Sequence, residues 1–490
     1  MYKRGAFLYG VIAVSIGVLI TVLFSIYSDF SVTTSKLKSS RKKVLCVSRG
    51  FIYDRNLLPL VNEKIYNKSY FLNENNSVNG ITVDRYNKNL LCSHLIGYVD
   101  SENKGVSGIE KCYDDILSYY SGELFIEYSL SATGNMIGEA GETENKNYLS
   151  FGGVVLTIDK NIQFVTEKCL DDGNLEKGAA VVMEVSTGKI LALVSRPNFN
   201  PNEIEKYLNN ENSPLINRAL TEYSVGSVFK PIIAASALEN GINPDEKYEC
   251  KGRIKIGDTV FPCHKTDGHG ETDLYSATAN SCNTYYINLT KNIGFNTLLN
   301  TAENFGFGSR YEIADNLFTD NGKLPDENNL TIGEKANFSF GQGRLTATPV
   351  HLAAAYAAIG NKGIYNPPII VDALVDENRT EYKKVKNNAS RRVLSEKNSE
   401  IVLKALAMTV DDGSGKNAKS EIVSSVGKTA TAQSGQFMNG KEITHSWFIG
   451  MFPRENPKYV VVILKENGES GSVDCAPIFK DISQLITSYE

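Results

Sequence analysis

A mixed α/β (α+β) chain with one membrane-spanning helix is what this sequence predicts, and three observations predict it. An uncharged run rich in Val, Ile, Leu and Phe fills Ala6 to Ser28. Short β-patterned runs broken by polar, Asn-rich turns such as Asn73 to Gly80 occupy 29 to 150. Strand and helix patterns alternate from Gly153 onward. At 490 residues the chain is long enough for two or three domains.

The elements follow in order. Residues 1–5 are expected to form a short tail and 6–28 a transmembrane anchor, which at 1.5 Å per residue covers roughly 30 Å of hydrocarbon. An uncleaved anchor is favoured over a signal peptide, because no small-residue cleavage site follows the apolar core. Lys3 and Arg4 precede the span while Lys36, Lys38, Arg41, Lys42 and Lys43 follow it, so charge counting alone does not orient it. Residues 29–150 form an N-terminal domain without a chemical motif, and 151–490 the C-terminal domain. Within the latter, strands are expected in VVLTI, AAVVMEV and KILALVS, with a helix in DKNIQFVTEKCLDD and a turn at Ser186 to Gly188. Thr348-Pro349 starts a small-residue core helix that Gly360 stops. SWFIGMF and KYVVVILKE read as adjacent strands joined by Pro453 to Pro457, with Lys428 to Thr431 on a neighbouring strand.

A net charge of -5 and the lack of basic clusters interleaved with aromatics argue against nucleic acid as a partner. The eight cysteines include no Cys-x-x-Cys pair. Cys250 and Cys263 flank a stretch whose Gly257-Asp258 reads as a hairpin turn, so a disulfide is open to them outside the cytoplasm, with free thiols as the alternative. A metal set of Cys250, Cys263, His264 and His269 is weighed and set aside, because the adjacent Cys263 and His264 point apart on a strand. No metal and no cofactor are expected.

Ser227 lies in GSVFKPIIAASAL, with Lys230 three positions later at the start of an apolar helical segment. That spacing puts a nucleophile and a base on one helix face. Alone it is weak, since Ser35, Ser39, Ser40, Ser101, Ser186 and Ser425 also have lysine at the third position. Gly226 before it permits a tight turn, and Pro231 is tolerated in a first helical turn. The histidines, His94, His264, His269, His351 and His445, sit in no neighbourhood that suggests a triad, which leaves lysine as the base. A lysine base must be neutral, so burial and the nearby charge of Lys428 are expected to lower its pKa.

Two further segments follow in order: Ser281-Cys282-Asn283 and Lys428-Thr429-Ala430. Ser-x-x-Lys, Ser-x-Asn and Lys-Thr-Gly form the motif set of penicillin-binding proteins and serine β-lactamases. With GAAVVMEVSTGKILALVSRPNFNPN, FGQGRLTATPVHLAAAYAAIGNKG and HSWFIGMFP beside these motifs, the chain resembles a monofunctional class B penicillin-binding protein over nearly all its length. RGFIYDRN and HLIGYVDSENKGVSGIEKCYDDIL resemble that family's non-catalytic pedestal. In RGFIYDRN, Arg49 and Asp54 read as an internal ion pair rather than a site. Leu57 stands where the family usually has glycine, leaving Asn56 to carry any turn.

The resemblance implies a peptidoglycan D,D-transpeptidase. The fold would be of the penicillin-binding protein and serine β-lactamase kind at 151–490, behind a pedestal at 29–150. Ser227 would attack the penultimate D-alanine carbonyl of a stem peptide while Lys230 takes its proton. Ser281 would relay a proton to the leaving nitrogen, and Asn283 would hold the substrate's peptide amide. Lys428 and Thr429 would bind the terminal carboxylate, and the N–H groups of Ser227 and Thr431 would form the oxyanion hole. β-Lactams would acylate Ser227. The implied setting is the outer face of a bacterial membrane, with a SEDS-class glycosyltransferase as partner. Val225 departs from a family proline, and Ala430 from the motif's glycine, adding a methyl beside the carboxylate site. A membrane-anchored β-lactamase and a non-catalytic β-lactam receptor or wall scaffold share the motifs and remain alternatives.

Overall fold

The computed structural model describes residues 2–62, 71–72, 78–79, 85–86, 89–130, 136–144, 148, 150–326, 330–385, 389–438 and 440–489. Chain packing divides it into two compact units. One comprises Met1–Arg49, Lys64–Arg85 and Tyr119–Ser150; the other comprises Gly50–Glu63, Tyr86–Ser118 and Phe151–Glu490. Residues 29–150 are thus shared between the two. The turn expected at 73–80 lies outside the described residues except for Val78–Asn79.

The first unit begins with a helix over Tyr2–Ser39, of which Arg4–Phe30 is long and apolar enough to cross a membrane. Its large apolar side chains, among them Phe7, Leu19 and Phe24, are exposed on all sides, a pattern that suits lipid rather than a protein core. A three-stranded antiparallel sheet follows, in the order Ser40–Ser48, Gly122–Leu130, Met136–Glu144.

The second unit is built on a five-stranded antiparallel sheet. Its order is Val426–Met438, Lys441–Phe452, Tyr459–Glu466, Gly178–Glu184, Ile190–Arg196. Both faces are covered, which is why its strands read as unbroken apolar runs. Val460, Val462 and Leu464 enter one core cluster and Val461 and Ile463 the other, as the two-residue period of a strand requires. The helices Lys160–Asp172 and Ala476–Tyr489 pack on one face. On the other lies Pro349–Gly360, every residue of it buried, with Thr348 capping the N–H of His351. Its alanines let it approach the sheet closely, the packing expected of a core helix.

Two details of RGFIYDRN differ from expectation. The buried Asp54 carboxylate accepts N–H bonds from Asn56 and Leu58, both at 2.8 Å, and from Lys160 at 3.1 Å. It anchors backbone, and among the described residues no ion pair joins it to Arg49; nearby main-chain donors needing acceptors satisfy it. Among the described residues an ion pair in this stretch joins Arg55 to Glu184 at 3.4 Å. Leu57 itself takes the left-handed conformation, at φ 61, where a side chain costs about 1–2 kcal/mol. Leu57→Gly is therefore expected to raise Tm by about 1–3 °C in a thermal melt, the gain being partly offset by glycine's extra freedom when unfolded.

Candidate active site

Ser227 sits in a single 3-10 turn, Gly226–Phe229, that runs directly into the helix Lys230–Glu239 with Pro231 in its first turn. Three anchors fix this turn. Gly226 N–H donates to Gly341 O at 3.0 Å, Tyr356 Oη donates to Val228 O at 2.8 Å, and Trp447 Nε1 donates to Ser224 O at 3.0 Å. Gly226 must be glycine: its φ is 61, and a Cβ there would stand 3.0 Å from the Cβ of Ala432. The Ser227 side chain is left half-exposed at the cleft.

Lys230, one turn on, is fully buried. Its Nζ donates to Ser281 O at 2.7 Å, to Ser281 Oγ at 3.1 Å and to Asn283 Oδ1 at 2.8 Å. Ser281 lies between the helices Leu274–Ala279 and Asn283–Leu289, in left-handed backbone at φ 53, a strained conformation that aims its carbonyl and hydroxyl at the lysine. The three residues Ser227, Lys230 and Ser281 thus meet at one place, with Asn283 beside them. Burial lowers the Lys230 pKa to about 7, against an opposing push from the Cys282 and Cys263 thiols.

Lys428 does not play the part expected of it toward Lys230. It too is fully buried, and burial, followed by the charge of Lys230, drives its own pKa far down, so two neighbouring buried lysines do not both stay charged. Its Nζ donates to Thr429 O at 2.9 Å. The cleft is lined instead by the next residues on that edge strand, Thr429, Ala430 and Thr431. Thr429 Oγ1 shares a 2.8 Å hydrogen bond with Ser414 Oγ, a cleft residue that no motif announced, though it stands between glycines in DDGSGK.

The methyl of Ala430 is accommodated by Gly226, whose missing Cβ would lie 3.5 Å from it. Ala430→Gly opens this contact at the cleft wall and loosens the strand by roughly 0.5–1 kcal/mol. The expected result is a measurable change in β-lactam acylation rate with little loss of thermal stability; unchanged kinetics across several β-lactams would place the residue outside the reacting geometry.

The cleft measures about 760 Å³ and brings together Ser227, Ser281, Asn283, Thr429 and Thr431. Phe340, Gln342 and Gly343 of the FGQG stretch form part of its wall, as do Ser470 to Ser472. Among the described residues its one lining carboxylate is Glu442, near the end of the hairpin, which accepts from Gln433 Nε2 at 2.6 Å and from Gly435 N at 3.2 Å. His264 lines the cleft, while His351 is spent on Thr348 and Ser309 O and His94 on Pro214 O.

The disulfide open to Cys250 and Cys263 is not formed; both are free thiols. Gly257-Asp258 does turn a hairpin, with Ile256 opposite Thr259, but this hairpin ends at Arg253 and Pro262, and Cys250 pairs across to Gly270 on another strand. Cys263 and His264 both lie past the end of the strand Thr259–Pro262, and the His264 side chain turns toward the Cys263 sulfur, its ring centroid 5.0 Å from that of His269. Yet Cys250, Cys263 and His269 are joined by Cys282, from within the second motif, in one group whose ligand atoms all lie within 4.8 Å of each other. The structure thus groups Cys282, in place of His264, with the other three residues of the set weighed from the sequence.

Residues 178–484 match the penicillin binding protein transpeptidase domain. The chain is 30% identical over 410 residues to Stage V sporulation protein D of Bacillus subtilis, covering 80% of this chain and 61% of that protein. It is 28% identical over 432 residues to the peptidoglycan D,D-transpeptidase MrdA of Acinetobacter baumannii, covering 78% of this chain and 62% of the relative. It thus spans about three fifths of the length of these relatives. The D,D-transpeptidase domain of a peptidoglycan glycosyltransferase from Eggerthella lenta superposes with a TM-score of 0.71 at 27% identity, covering 90% of this chain and 98% of that one.

Proposed function

Because the chain belongs to the penicillin-binding protein transpeptidase family, we propose that it is a peptidoglycan D,D-transpeptidase working through an acyl-enzyme on Ser227. The observation that carries this reading is the fully buried Lys230, with its pKa near 7, held by Ser281 and Asn283 one turn from the nucleophile. Neutral Lys230 takes the Ser227 proton as the oxygen attacks the penultimate D-alanine carbonyl of a stem peptide. The N–H groups of Ser227 and Thr431 receive the oxyanion, and Ser281 passes the proton on to the departing D-alanine nitrogen. Asn283 holds the donor peptide's amide. The terminal carboxylate meets the hydroxyls of Thr429 and Thr431, with Ser414 beside them and Lys428 behind the strand. The amine of a second stem peptide then accepts the acyl group, completing the cross-link. β-Lactams enter by the same attack.

In this reading 1–5 is a cytoplasmic tail, 6–28 the anchor, 29–150 a pedestal and 151–490 the catalytic part, which faces the outside of a bacterial membrane. A polymerising glycosyltransferase of the SEDS class is its partner there. A β-lactamase needs a base to activate water against the acyl-enzyme; the cleft's carboxylate, Glu442, is occupied by Gln433 and Gly435. That favours a long-lived adduct.

The test is labelling with a fluorescent penicillin, native chain against Ser227→Ala, followed by peptide mapping. A persistent adduct on Ser227 that vanishes in the variant is expected. An adduct on another serine, or rapid turnover of the drug, would overturn the assignment.

A further inference from the structure

Cys250, Cys263, His269 and Cys282 come from separate places in the fold. Cys250 ends the strand Tyr248–Cys250, and Cys263 follows the strand Thr259–Pro262. His269 precedes the strand Gly270–Thr272, and Cys282 caps the helix Asn283–Leu289. Close backbone approach at Gly268 draws the second and third of these onto the first: its φ is 85, and a Cβ there would lie 2.1 Å from Cys250 O. The three cysteines are buried and His269 is half-buried. Cys250 Sγ and Cys263 Sγ each stand 3.5 Å from His269 Nδ1, and Cys263 Sγ stands 3.9 Å from Cys282 Sγ.

These spacings match three of the six edges of a metal tetrahedron, and the remaining three fall within 4.8 Å. Zinc bonds of about 2.3 Å to sulfur and about 2.0–2.1 Å to nitrogen set edges of about 3.8 Å between sulfurs and about 3.5 Å from sulfur to nitrogen. The surroundings suit thiolates as well. Thr284 Oγ1 donates to Cys250 Sγ at 3.1 Å, and the backbone N–H groups of Asn283 and Thr284 are directed at the Cys263 sulfur. Three thiols and an imidazole are a soft set that selects zinc over hard cations.

We propose that the chain binds one structural zinc ion through Cys250 Sγ, Cys263 Sγ, His269 Nδ1 and Cys282 Sγ. On binding, the three thiols release their protons to solvent and the imidazole coordinates as the neutral ring. Four protein ligands close the coordination shell, so the ion does no chemistry on substrate. Its effect is positional: Cys282 lies between Ser281 and Asn283, the two residues that hold Lys230, so the ion clamps that turn to the strands behind it.

The test uses the full chain purified in detergent without chelator. Elemental analysis should find about one zinc per chain, and Cys263→Ser and His269→Ala should lose it. Chelation should lower Tm by at least about 5 °C, restored by zinc. Cobalt added to the stripped native chain should give the visible absorption of a tetrahedral thiolate site, a readout that stands even if the variants fail to fold. Penicillin labelling of the stripped chain should slow at least about tenfold; that arm also rests on the proposed function, whereas metal content and cobalt spectrum do not. Zinc-free native chain whose cysteines all react with a thiol reagent, with no cobalt spectrum and no chelator effect on Tm, would overturn the site. Zinc present with unchanged labelling would overturn the clamping role.

Discussion

Replacing Lys230 with arginine lowers the rate of penicillin acylation at least about a hundredfold, in line with the loss of a general base. Guanidinium keeps the charge but stays protonated at any working pH, so the variant isolates the proton-accepting role from the charge. The same argument sets the pH profile of the native chain. With the folded pKa near 7, acylation should rise with pH through that value and level off above it, as the neutral amine becomes the main form. Stability moves in the same direction. From about 7 up to the ordinary lysine range of about 10.4 the unfolded chain holds a proton that folded Lys230 has shed, so unfolding becomes harder as pH rises. Stopped-flow labelling between pH 5 and 9 checks the first and thermal melts the second. Near-native labelling by Lys230→Arg would show that another group accepts the proton.

Gly341→Ala should be nearly as damaging, although the residue touches no substrate. Gly341 has φ 83, and a Cβ on it would lie 1.9 Å from the carbonyl oxygen of Gly226, the residue before the nucleophile. One backbone must move. Displacing the nucleophile turn by about 1 Å can cost on the order of a hundredfold in rate, and the strain itself at least about 3 kcal/mol. Gly241→Ala is the control: its φ is 79 but nothing lies within 4 Å, so it carries the conformational cost without the collision. The measurements are Tm and labelling rate per folded molecule. Equal effects in the two variants would mean that the close approach between Gly341 and Gly226 is unimportant.

Much of the second unit was legible along the chain because its signals are local. The runs VVVIL and FIGMF are apolar at every position because their strands are covered on both faces, and Thr348-Pro349 starts the core helix with a cap and a first-turn proline. Ser227, Lys230, Ser281 and Asn283 could be paired from motif order alone, and the structure brings them together. What escaped depends on packing between distant segments. No spacing links Ser414 to Thr429, and the rule that adjacent strand residues point apart does not govern Cys263 and His264, which lie beyond their strand's end, while Cys282 joins Cys250, Cys263 and His269 from another segment. The inward burial of Lys428 was hidden too, since a lysine in a motif invites reading as an open cation. Leu57 is the reverse case: without a glycine the turn is expected at Asn56, yet leucine itself takes the left-handed backbone at φ 61.

The three acceptors around Lys230 Nζ carry a consequence for the direction in which their hydrogen bonds run. An ammonium group has three N–H donors, one each for Ser281 O, Ser281 Oγ and Asn283 Oδ1. A neutral amine has two, plus a lone pair. The carbonyl oxygens of Ser281 and Asn283 can only accept, so they retain the two remaining donors, and the hydroxyl of Ser281 is the one neighbour able to reverse and donate to the lone pair. The polarity of that single bond therefore reports the charge of the lysine. In the proposed reaction, Lys230 carrying the Ser227 proton would leave the Ser281 hydroxyl turned outward with its hydrogen free, ready to pass to a nitrogen arriving from the cleft.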